Sequence, residues 1–232
     1  ISLMKKILVV TTRFPFPLYR GDNLRIYSIS KHLSKKNKLD LIYTATKENL
    51  QKIKFFDKIM WIKTNNINRF FYALYFLLKG ESIRVGYFFS YKMLEEIEKI
   101  HKNYDSIIFH KIEGSKFLPN DYGGKKILEM TDLISDNYFQ LYKKLNFFNP
   151  LKYIYFLEKC LIEKYEKKYL KFFNYSVLVS KEDLKFFSLK NNIKNKIKKI
   201  INKLKLKKKI YNYNNNNKDI IFIGNINYLT NK

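Results

Sequence analysis

The chain has 232 residues, of which 46% are hydrophobic, so it can bury a core and is not predicted to be disordered. Its formal net charge is +26, because it carries 46 Lys and Arg residues against 20 Asp and Glu residues. The one cysteine, Cys160, excludes an intramolecular disulfide framework and an all-cysteine zinc site, and its place in a helical pattern predicts a small core residue.

The positive charge has three competing interpretations: nucleic-acid binding, attraction to an anionic membrane surface, and a compositional bias without a dedicated partner. The excess is mostly Lys and comes with many Asn, Ile, Tyr and Phe residues, which an AT-rich coding sequence produces. Nucleic acid is the least favoured partner, because the sequence contains no compact basic and aromatic recognition module. The most apolar window, residues 70–78, is too short to span a bilayer, and no secretory signal precedes the first strand. We expect a cytoplasmic location, with attachment to the inner face of the cell membrane as an open alternative.

The first predicted unit, residues 6–33, is a strand, a loop and a helix. Residues 7–10 form a continuous apolar run, typical of a parallel strand covered on both faces, and two prolines end that strand near Thr12. Gly21 and Asp22 predict a turn and an N-cap for the helix. The apolar residues of the helix follow at helical spacing: Ile26, Ile29 and Leu33. Glycine loops before helix N-termini bind phosphate in α/β proteins, so this loop is either an anion site or a tight crossover.

Strands and helices then alternate along the chain. Further strands are predicted at residues 39–45, 58–62, 105–110, 125–130 and 175–180. Helices are predicted at residues 69–79, 90–101, 151–172 and 182–187. This alternation predicts an α/β fold, a Rossmann-like doubly wound parallel sheet with right-handed crossovers.

For two of these helices the sequence leaves open which surroundings their apolar side chains contact. The helix at 69–79 is apolar nearly all round, and a buried position is favoured over a membrane interface. In the helix at 151–172 the predicted inner side is apolar: Ile154, Leu157, Leu161, Ile162, Tyr165 and Tyr169. Its glutamates, Glu158, Glu163 and Glu166, are explained by ion pairs with lysines one turn away.

Polar residues follow several of the predicted strands directly. They are the loop at 13–22, His110 and Asp132, and in parallel sheets such positions share the carboxyl edge where ligands bind. His32 and His101 lie in charged helical stretches and are expected at the surface. No trio of His, Cys or carboxylate residues has metal-ligand spacing, so no metal site is predicted.

The character of the sequence changes near its end. Residues 190–218 are a basic run followed by an asparagine tract, typical of a linker with one short strand or helical turn inside it. Residues 219–232 begin a new strand and glycine turn. The expected organisation is therefore a Rossmann-like domain at 1–189, a linker at 190–218, and the truncated start of a second domain at 219–232.

The order of these segments resembles the N-terminal, acceptor-side half of the GT-B fold glycosyltransferases, specifically the glycosyltransferase family 4-like group. The segments that carry the resemblance are RFPFP at 13–17, RGDNLR at 20–25, LKG at 78–80, VGYF at 85–88, YDSIIFH at 104–110, LEMTDLIS at 128–135, YE at 165–166, LVS at 178–180 and IFIGN at 221–225.

The resemblance implies a cleft between two Rossmann-like domains. The N-terminal domain receives the acceptor, a cell-envelope glycan or a polyprenyl-linked intermediate, and the C-terminal domain holds the nucleotide-sugar donor. Transfer with retention of configuration is implied, without a bound metal or a cofactor. The family's paired acidic motif lies in the C-terminal domain, so the chain is expected to be an incomplete enzyme. The alternative is a non-catalytic Rossmann-like module that binds an anionic partner.

The resemblance also implies roles for single residues. Those expected at the donor diphosphate are Arg20, Gly21 and Gly224. His110 is the expected catalytic residue, close to the transferred sugar, although residues 111–114 lack the arginine expected near Glu113. Those expected at the acceptor are Arg13, Asp22, Arg25, Asp132 and Ser135. Structural alternatives stand beside these roles: Gly21 turns the chain, His110 caps a strand end, Asp132 caps the next helix, and Arg13 braces its loop.

Overall fold

The computed structural model describes residues 4–18, 20–49, 51–180 and 197–199. Within these residues seven parallel strands form one sheet in the spatial order β3-β2-β1-β4-β5-β6-β7. The strands are β1 (Lys5–Thr11), β2 (Asn37–Ala45), β3 (Lys58–Lys63), β4 (Ser106–His110), β5 (Lys125–Glu129), β6 (Tyr175–Leu178) and β7 (Ile197–Lys199). The strand order reverses between β1 and β4, which is the topological switch point of a doubly wound sheet. The predicted α/β, Rossmann-like parallel sheet is thereby confirmed.

Helices follow the strands as crossover connections. They are α1 (Gly21–Leu33), α2 (Asn66–Leu78), α3 (Ile83–Phe88), α4 (Tyr91–Ile100), α5 (Ile134–Lys144) and α6 (Pro150–Tyr169). Short polar side chains begin four of them by accepting a backbone N–H of the first turn: Asn65 for α2, Ser82 for α3, Ser90 for α4 and Asn149 for α6. Helix α3 and its boundaries were not predicted, because six residues are too few for a periodic pattern.

The sheet divides the core into two clusters because side chains alternate along a strand. Leu8 and Val10 of β1 pack in the larger cluster, together with residues of α2 to α6. Ile7 and Val9 pack in the other, with Ile26 of α1. Helix α1 therefore covers one face of the sheet and the remaining helices cover the other.

Helix α2 is not buried, so the prediction of a buried helix here is wrong. Within it only Ala73 and Phe76 are buried. Its large exposed side chains are Ile67, Phe70, Phe71, Leu74, Tyr75 and Leu78. Helix α2 packs closely on α3 at Gly86, where an added Cβ would lie 2.6 Å from the Tyr72 carbonyl oxygen.

Helix α6 buries only part of its predicted inner side: Ile162 and Tyr165 lie in the core as predicted, and Tyr169 packs against it. Its buried residues are Glu158, Ile162, Tyr165 and Glu166, and Ile154 and Leu157 are exposed. The lysine pairing expected for Glu158 and Glu166 is also wrong, because each accepts backbone N–H groups at the start of another helix. Glu158 accepts from Ile83 and Arg84 of α3, and Glu166 from Ile134 and Ser135 of α5.

Of the predictions for single residues on the helices, some are confirmed and others are wrong. Glu163 does pair with Lys159 and Lys167, at 2.6 and 2.7 Å, as predicted. Cys160 is exposed rather than a core residue. His101 is buried rather than at the surface, with Nδ1 2.8 Å from the Glu98 carbonyl oxygen, whereas His32 is exposed as expected.

The end of the chain bears on the domain predictions only in part. Strand β7 lies in the stretch predicted as a linker and pairs with β6. The predicted helix at 182–187, both predicted domain boundaries, Gly224 and the whole of residues 219–232 lie outside the described residues. Among the helices that the structure describes, none is long and apolar enough to cross a membrane.

Candidate functional site

A cleft of about 740 Å³ lies at the carboxyl edge of the sheet. One wall is the β1–α1 connection, which contributes Arg13, Arg20, Gly21 and Asp22. Lys111 enters directly after β4, and Thr131 and Asp132 follow β5. Helices α3 and α5 complete the lining, with Arg84, Phe88 and Tyr138 prominent among their residues. Strand ends and the α1 N-terminus thus converge where doubly wound sheets bind ligands.

Cations outnumber carboxylates among the residues that line this cleft. The cations are Arg13, Arg20, Arg84 and Lys111, and the carboxylates are Asp22 and Asp132. The Lys111 ammonium contacts the Asp22 carboxylate, and Arg20 Nε lies 3.4 Å from the same group. Arg13 makes no salt bridge with any described residue. The surplus positive charge makes the cleft a site for an anion.

Arg84 is held in a fixed position at the cleft wall. Its guanidinium lies 2.8 Å from the buried carboxylate of Glu113, and Tyr138 lines the same cleft. The Phe88 ring contacts it as well, with 5.6 Å between guanidinium and ring centroid, and Arg13 lies 5.3 Å from the same centroid. Since a cation is attracted to an aromatic face, Phe88 orders two guanidiniums beside one another.

The pKa shifts show which charged side chains of the cleft lack enough opposite charge nearby to offset their burial. Burial alone would raise the pKa of Asp22, but Lys111 and Arg20 hold it well below its usual range. Burial would likewise raise the pKa of Glu113, and Arg84 and Lys111 lower it to about 2. Burial lowers the pKa of both Arg13 and Lys111 despite the carboxylates nearby. An added anion would stabilise the charged forms of these two cations.

Lys111 reaches the cleft from an unusual backbone conformation. Its φ is 65° and its ψ is 162°, a region that favours glycine. The Lys111 N–H donates to the Glu129 carbonyl oxygen at 2.7 Å, which ties the residue to the end of β5. Non-glycine residues in such conformations cost about 1–3 kcal/mol and cluster at functional sites. This backbone strain therefore supports a role for the lysine.

Arg25 and His110 were expected at the site, but neither is among the residues that line the cleft. Both bind Glu129, through Arg25 Nε and His110 Nδ1, and all three are at most 3% exposed. The sheet register sets His110 opposite Glu129 on neighbouring strands. Burial would raise the pKa of Glu129, but His110 and Arg25 lower it. The three residues form a buried charge cluster below the strand ends.

Neither Asp22 nor Asp132 is the N-cap residue of its helix. Helix α1 begins at Gly21 with Arg20 as its N-cap residue, and Asp22 Oδ1 inside the first turn accepts the Asn23 N–H at 3.0 Å. Asp132 accepts a hydrogen bond from Asn137 Nδ2 at 2.6 Å and lines the cleft, while Glu166 satisfies the α5 N-terminus. Ser135 is buried and donates its hydroxyl to Glu166 at 2.6 Å, so it is not available to an acceptor.

The structure therefore brings together five of the predicted site residues, namely Arg13, Arg20, Gly21, Asp22 and Asp132. Gly224 lies outside the described residues. Lys111 and Arg84 were not assigned to the site. Lys111 directly follows a predicted strand, so the strand-end argument could have found it. Arg84 stands on the short helix α3, and no pattern in the sequence marks it.

No group of three or more His, Cys, Asp or Glu residues in the described ranges is arranged to hold a metal ion. In comparisons with known proteins, no family model matches the chain and no curated protein matches it. Four cations, one of them without an ion-pair partner in the described part of the chain, can bind a phosphate or diphosphate.

Proposed function

We propose that the chain is the acceptor-side domain of a GT-B fold glycosyltransferase, which transfers a sugar from a nucleotide-sugar donor to a cell-envelope glycan or lipid-linked acceptor. The observation that carries this proposal is the cationic cleft at the switch point of the sheet. Segments 13–17 and 20–25, on which the family resemblance rests, supply Arg13, Arg20, Gly21 and Asp22 to that cleft. The donor domain, absent from the described residues, would close its open side.

The geometry suits the charge changes of this reaction. Negative charge builds on the departing diphosphate, and fixed cations or N–H donors aimed at it lower the barrier. Arg20 and the first turn of α1 face the cleft and are proposed to contact the diphosphate. We propose that transfer proceeds with retention and without a bound metal, the guanidiniums and Lys111 providing the positive charge.

The carboxylates have a different part in the proposal. The low pKa of Asp22 makes it a weak general base but a good hydrogen-bond acceptor for a sugar hydroxyl. Asp132 lines the same cleft and is proposed to contact the acceptor beside it. We propose no catalytic role for His110, because Glu129 binds it in the protein interior.

The test is a transfer assay on the full-length gene product that contains this chain, with a panel of nucleotide-sugar donors and lipid-linked or glycan acceptors. Arg20→Gln and Lys111→Gln should each lower the transfer rate about 100-fold, because each removes one of the cleft cations proposed to stabilise the departing diphosphate. Lys99→Gln is the matched control, since Lys99 is exposed on α4 and pairs only with Glu96 among the contacts that the structure describes.

Two outcomes would contradict the proposal. Cleft variants as active as the Lys99 variant would show that the cleft is not the site of transfer. Binding of nucleotide sugars or phosphate without any transfer would favour the alternative, a non-catalytic module that recognises an anionic partner.

We further propose that the protein works in the cytoplasm at the inner face of the cell membrane. The exposed aromatic and aliphatic side chains of α2 and the net charge of +26 support this location. A surface that combines apolar side chains with cations suits an anionic bilayer, in which the apolar groups enter the interface.

A further inference from the structure

A second space of about 550 Å³ lies on the face of the sheet that α1 covers. We call it the basic groove. Its lining comes from Phe16 in the β1–α1 connection, from residues 27–35 of α1 and from residues 51–55 between β2 and β3. It shares no lining residue with the cationic cleft, so it is a separate surface of the domain.

Three half-buried aromatic rings form a row in the basic groove. The ring centroids of Phe16 and Tyr27 lie 5.1 Å apart, those of Tyr27 and Phe55 also lie 5.1 Å apart, and both pairs meet edge to face. Phe16 and Phe55 pack against the core cluster that contains Ile26. The Lys31 ammonium lies 5.7 Å from the Tyr27 ring centroid. The row is therefore fixed to the core and has a cation beside it.

Every charged side chain among the described residues that line the basic groove is a lysine. Lys31 and Lys35 lie one helical turn apart on α1, and Lys52 and Lys54 lie on either side of the buried Ile53. All four lysines are exposed, and none forms a salt bridge with a described residue. With no described carboxylate in the lining, their charge is available to an anionic ligand.

Cations beside a row of aromatic rings are the features by which proteins bind single-stranded nucleic acid. The cations neutralise phosphates, and the rings stack with bases of any sequence. Because the groove is assembled from three separate segments, this combination is not visible in the order of the sequence. We infer that the basic groove binds single-stranded nucleic acid, with bases against Phe16, Tyr27 and Phe55 and phosphates beside the four lysines.

Other anionic partners fit the basic groove less well. An acidic glycan presents many hydroxyl groups, and the described lining offers no carboxylate to accept hydrogen bonds from them. A bilayer surface requires apolar side chains that enter the interface, whereas the rings of the groove are half-buried. The inference goes beyond the proposed function, because it requires no sugar transfer and involves no residue of the cleft.

The binding test is fluorescence anisotropy on the full chain, with a thymidine ten-mer and an abasic ten-mer of the same backbone charge. A net charge of +26 attracts any polyanion, so the difference between the two probes reports the contribution of the bases. The thymidine strand should bind about tenfold more tightly, because stacked bases add to the phosphate contacts that both strands share.

An aromatic variant tests the stacking directly. Phe55→Leu keeps an apolar side chain against the core but removes the ring, so it should weaken binding of the thymidine strand about fivefold and leave the abasic strand unchanged. Phe148→Leu is the matched control, because Phe148 is an exposed aromatic residue outside the groove lining. It should change neither affinity.

A lysine variant tests the phosphate contacts. Lys35→Gln combined with Lys54→Gln should weaken both strands and reduce the slope of log affinity against log salt by about 1.4, since each phosphate contact to a single strand contributes about 0.7. The control combines Lys92→Gln with Lys164→Gln, two exposed lysines of α4 and α6 on the other face of the sheet. It removes the same charge and should leave the slope unchanged.

Three results would overturn the inference. Equal binding of the abasic and thymidine strands would indicate a general polyanion site, open to an acidic glycan or an anionic membrane. Equal losses in the two lysine variants would assign the binding to the charge of the whole surface. Thymidine triphosphate binding as tightly as the ten-mer would identify a pocket for a single nucleotide. None of these results depends on the transfer assay, so the inference and the proposed function can fail separately.

Discussion

Three buried glutamates, Glu129, Glu158 and Glu166, organise the polar interior around the cleft. Glu129 is paired with Arg25 and His110, whereas Glu158 and Glu166 accept N–H groups at the starts of α3 and α5. A buried carboxylate without such partners would cost several kcal/mol. Each glutamate therefore fixes an element that contributes residues to the cleft.

Glu166 should make stability depend on pH. Burial raises its pKa from 4.5 to about 7, although Ser135 and the backbone N–H of Ile134 hydrogen-bond its oxygens. Because the folded pKa exceeds the unfolded one, the folded protein binds more protons between about pH 4.5 and 7, and the free energy of unfolding falls as pH rises through that window. We expect Glu166→Gln to remove about 3 kcal/mol of the decline between pH 5 and 8 in urea unfolding.

Glu163→Gln is the control for that measurement. Hydrogen bonds from Lys159 and Lys167 lower the pKa of Glu163 to about 2, so its contribution is present above the unfolded pKa and is lost only as pH falls below it. This variant should retain most of the difference between pH 5 and 8, because Glu163 makes only the smallest of the contributions to the pKa shift of Glu166. If Glu166→Gln left it unchanged, Glu166 would not titrate in this window.

At the scale of elements, α3 connects the core to the cleft. Six residues do not form a stable helix alone, so its neighbours must hold it. Glu158 binds its N-terminus, α2 packs against Gly86, and Arg84 and Phe88 extend from it into the cleft. The position of two cleft residues therefore depends on packing that lies outside the cleft.

Gly86→Ala should separate α2 from α3. The added Cβ would lie 2.6 Å from the Tyr72 carbonyl oxygen, 2.7 Å from Phe76 Cβ and 2.9 Å from Ala73 Cα. Two of these are backbone atoms that cannot rotate away, so we expect a loss of about 1–3 kcal/mol in the free energy of unfolding. Gly21→Ala is the matched control, with no atom within 4 Å of its Cβ, and should change stability by less than about 0.5 kcal/mol. Equal stability of the two variants would argue against the close contact between α2 and α3.

The sequence predicts best those elements whose apolar residues are simply the ones buried in the core. Residues 7–10 are buried on both faces of the sheet, and the run of apolar residues there correctly predicts β1. Helix α6 is different, because hydrogen bonds to α3 and α5 bury Glu158 and Glu166 while Ile154 stays exposed. A periodic pattern shows only where hydrophobic residues recur along the chain. It cannot predict the burial of a carboxylate that accepts backbone N–H groups from another helix.

Part of the candidate site could also be predicted from the sequence, and part could not. Strand ends meet at one edge, so Arg13, Asp22 and Asp132 could be placed together from chain order alone. Arg84 reaches the cleft only through tertiary packing, and His110 is withdrawn from it by Glu129 on the neighbouring strand. Glu129 was the available signal, because it follows the apolar residues Ile127 and Leu128 at the end of β5 and a buried carboxylate there requires partners.

For the molecule as a whole, charge and apolar surface predict binding to anionic membranes. The full chain should co-sediment with vesicles containing phosphatidylglycerol more than with pure phosphatidylcholine, and added salt should weaken the binding. The double variant Phe70→Ser and Phe71→Ser should lower the bound fraction about tenfold, because both side chains are more than 60% exposed on α2.

Phe172→Ser is the control for the vesicle measurement, since Phe172 is also an exposed aromatic residue but lies beyond the end of α6. It should bind vesicles as the unchanged chain does. Equal sedimentation with neutral and anionic vesicles, or a Phe70 and Phe71 variant that behaves like the control, would contradict membrane attachment through α2.

The strained backbone of Lys111 has a consequence for how this protein can change. Glycine would adopt the same positive φ without strain, but it would leave the buried Asp22 carboxylate without its ammonium partner. The same substitution would remove a cation from the cleft. Backbone strain at position 111 is therefore balanced against both the ion pair with Asp22 and the positive charge of the cleft.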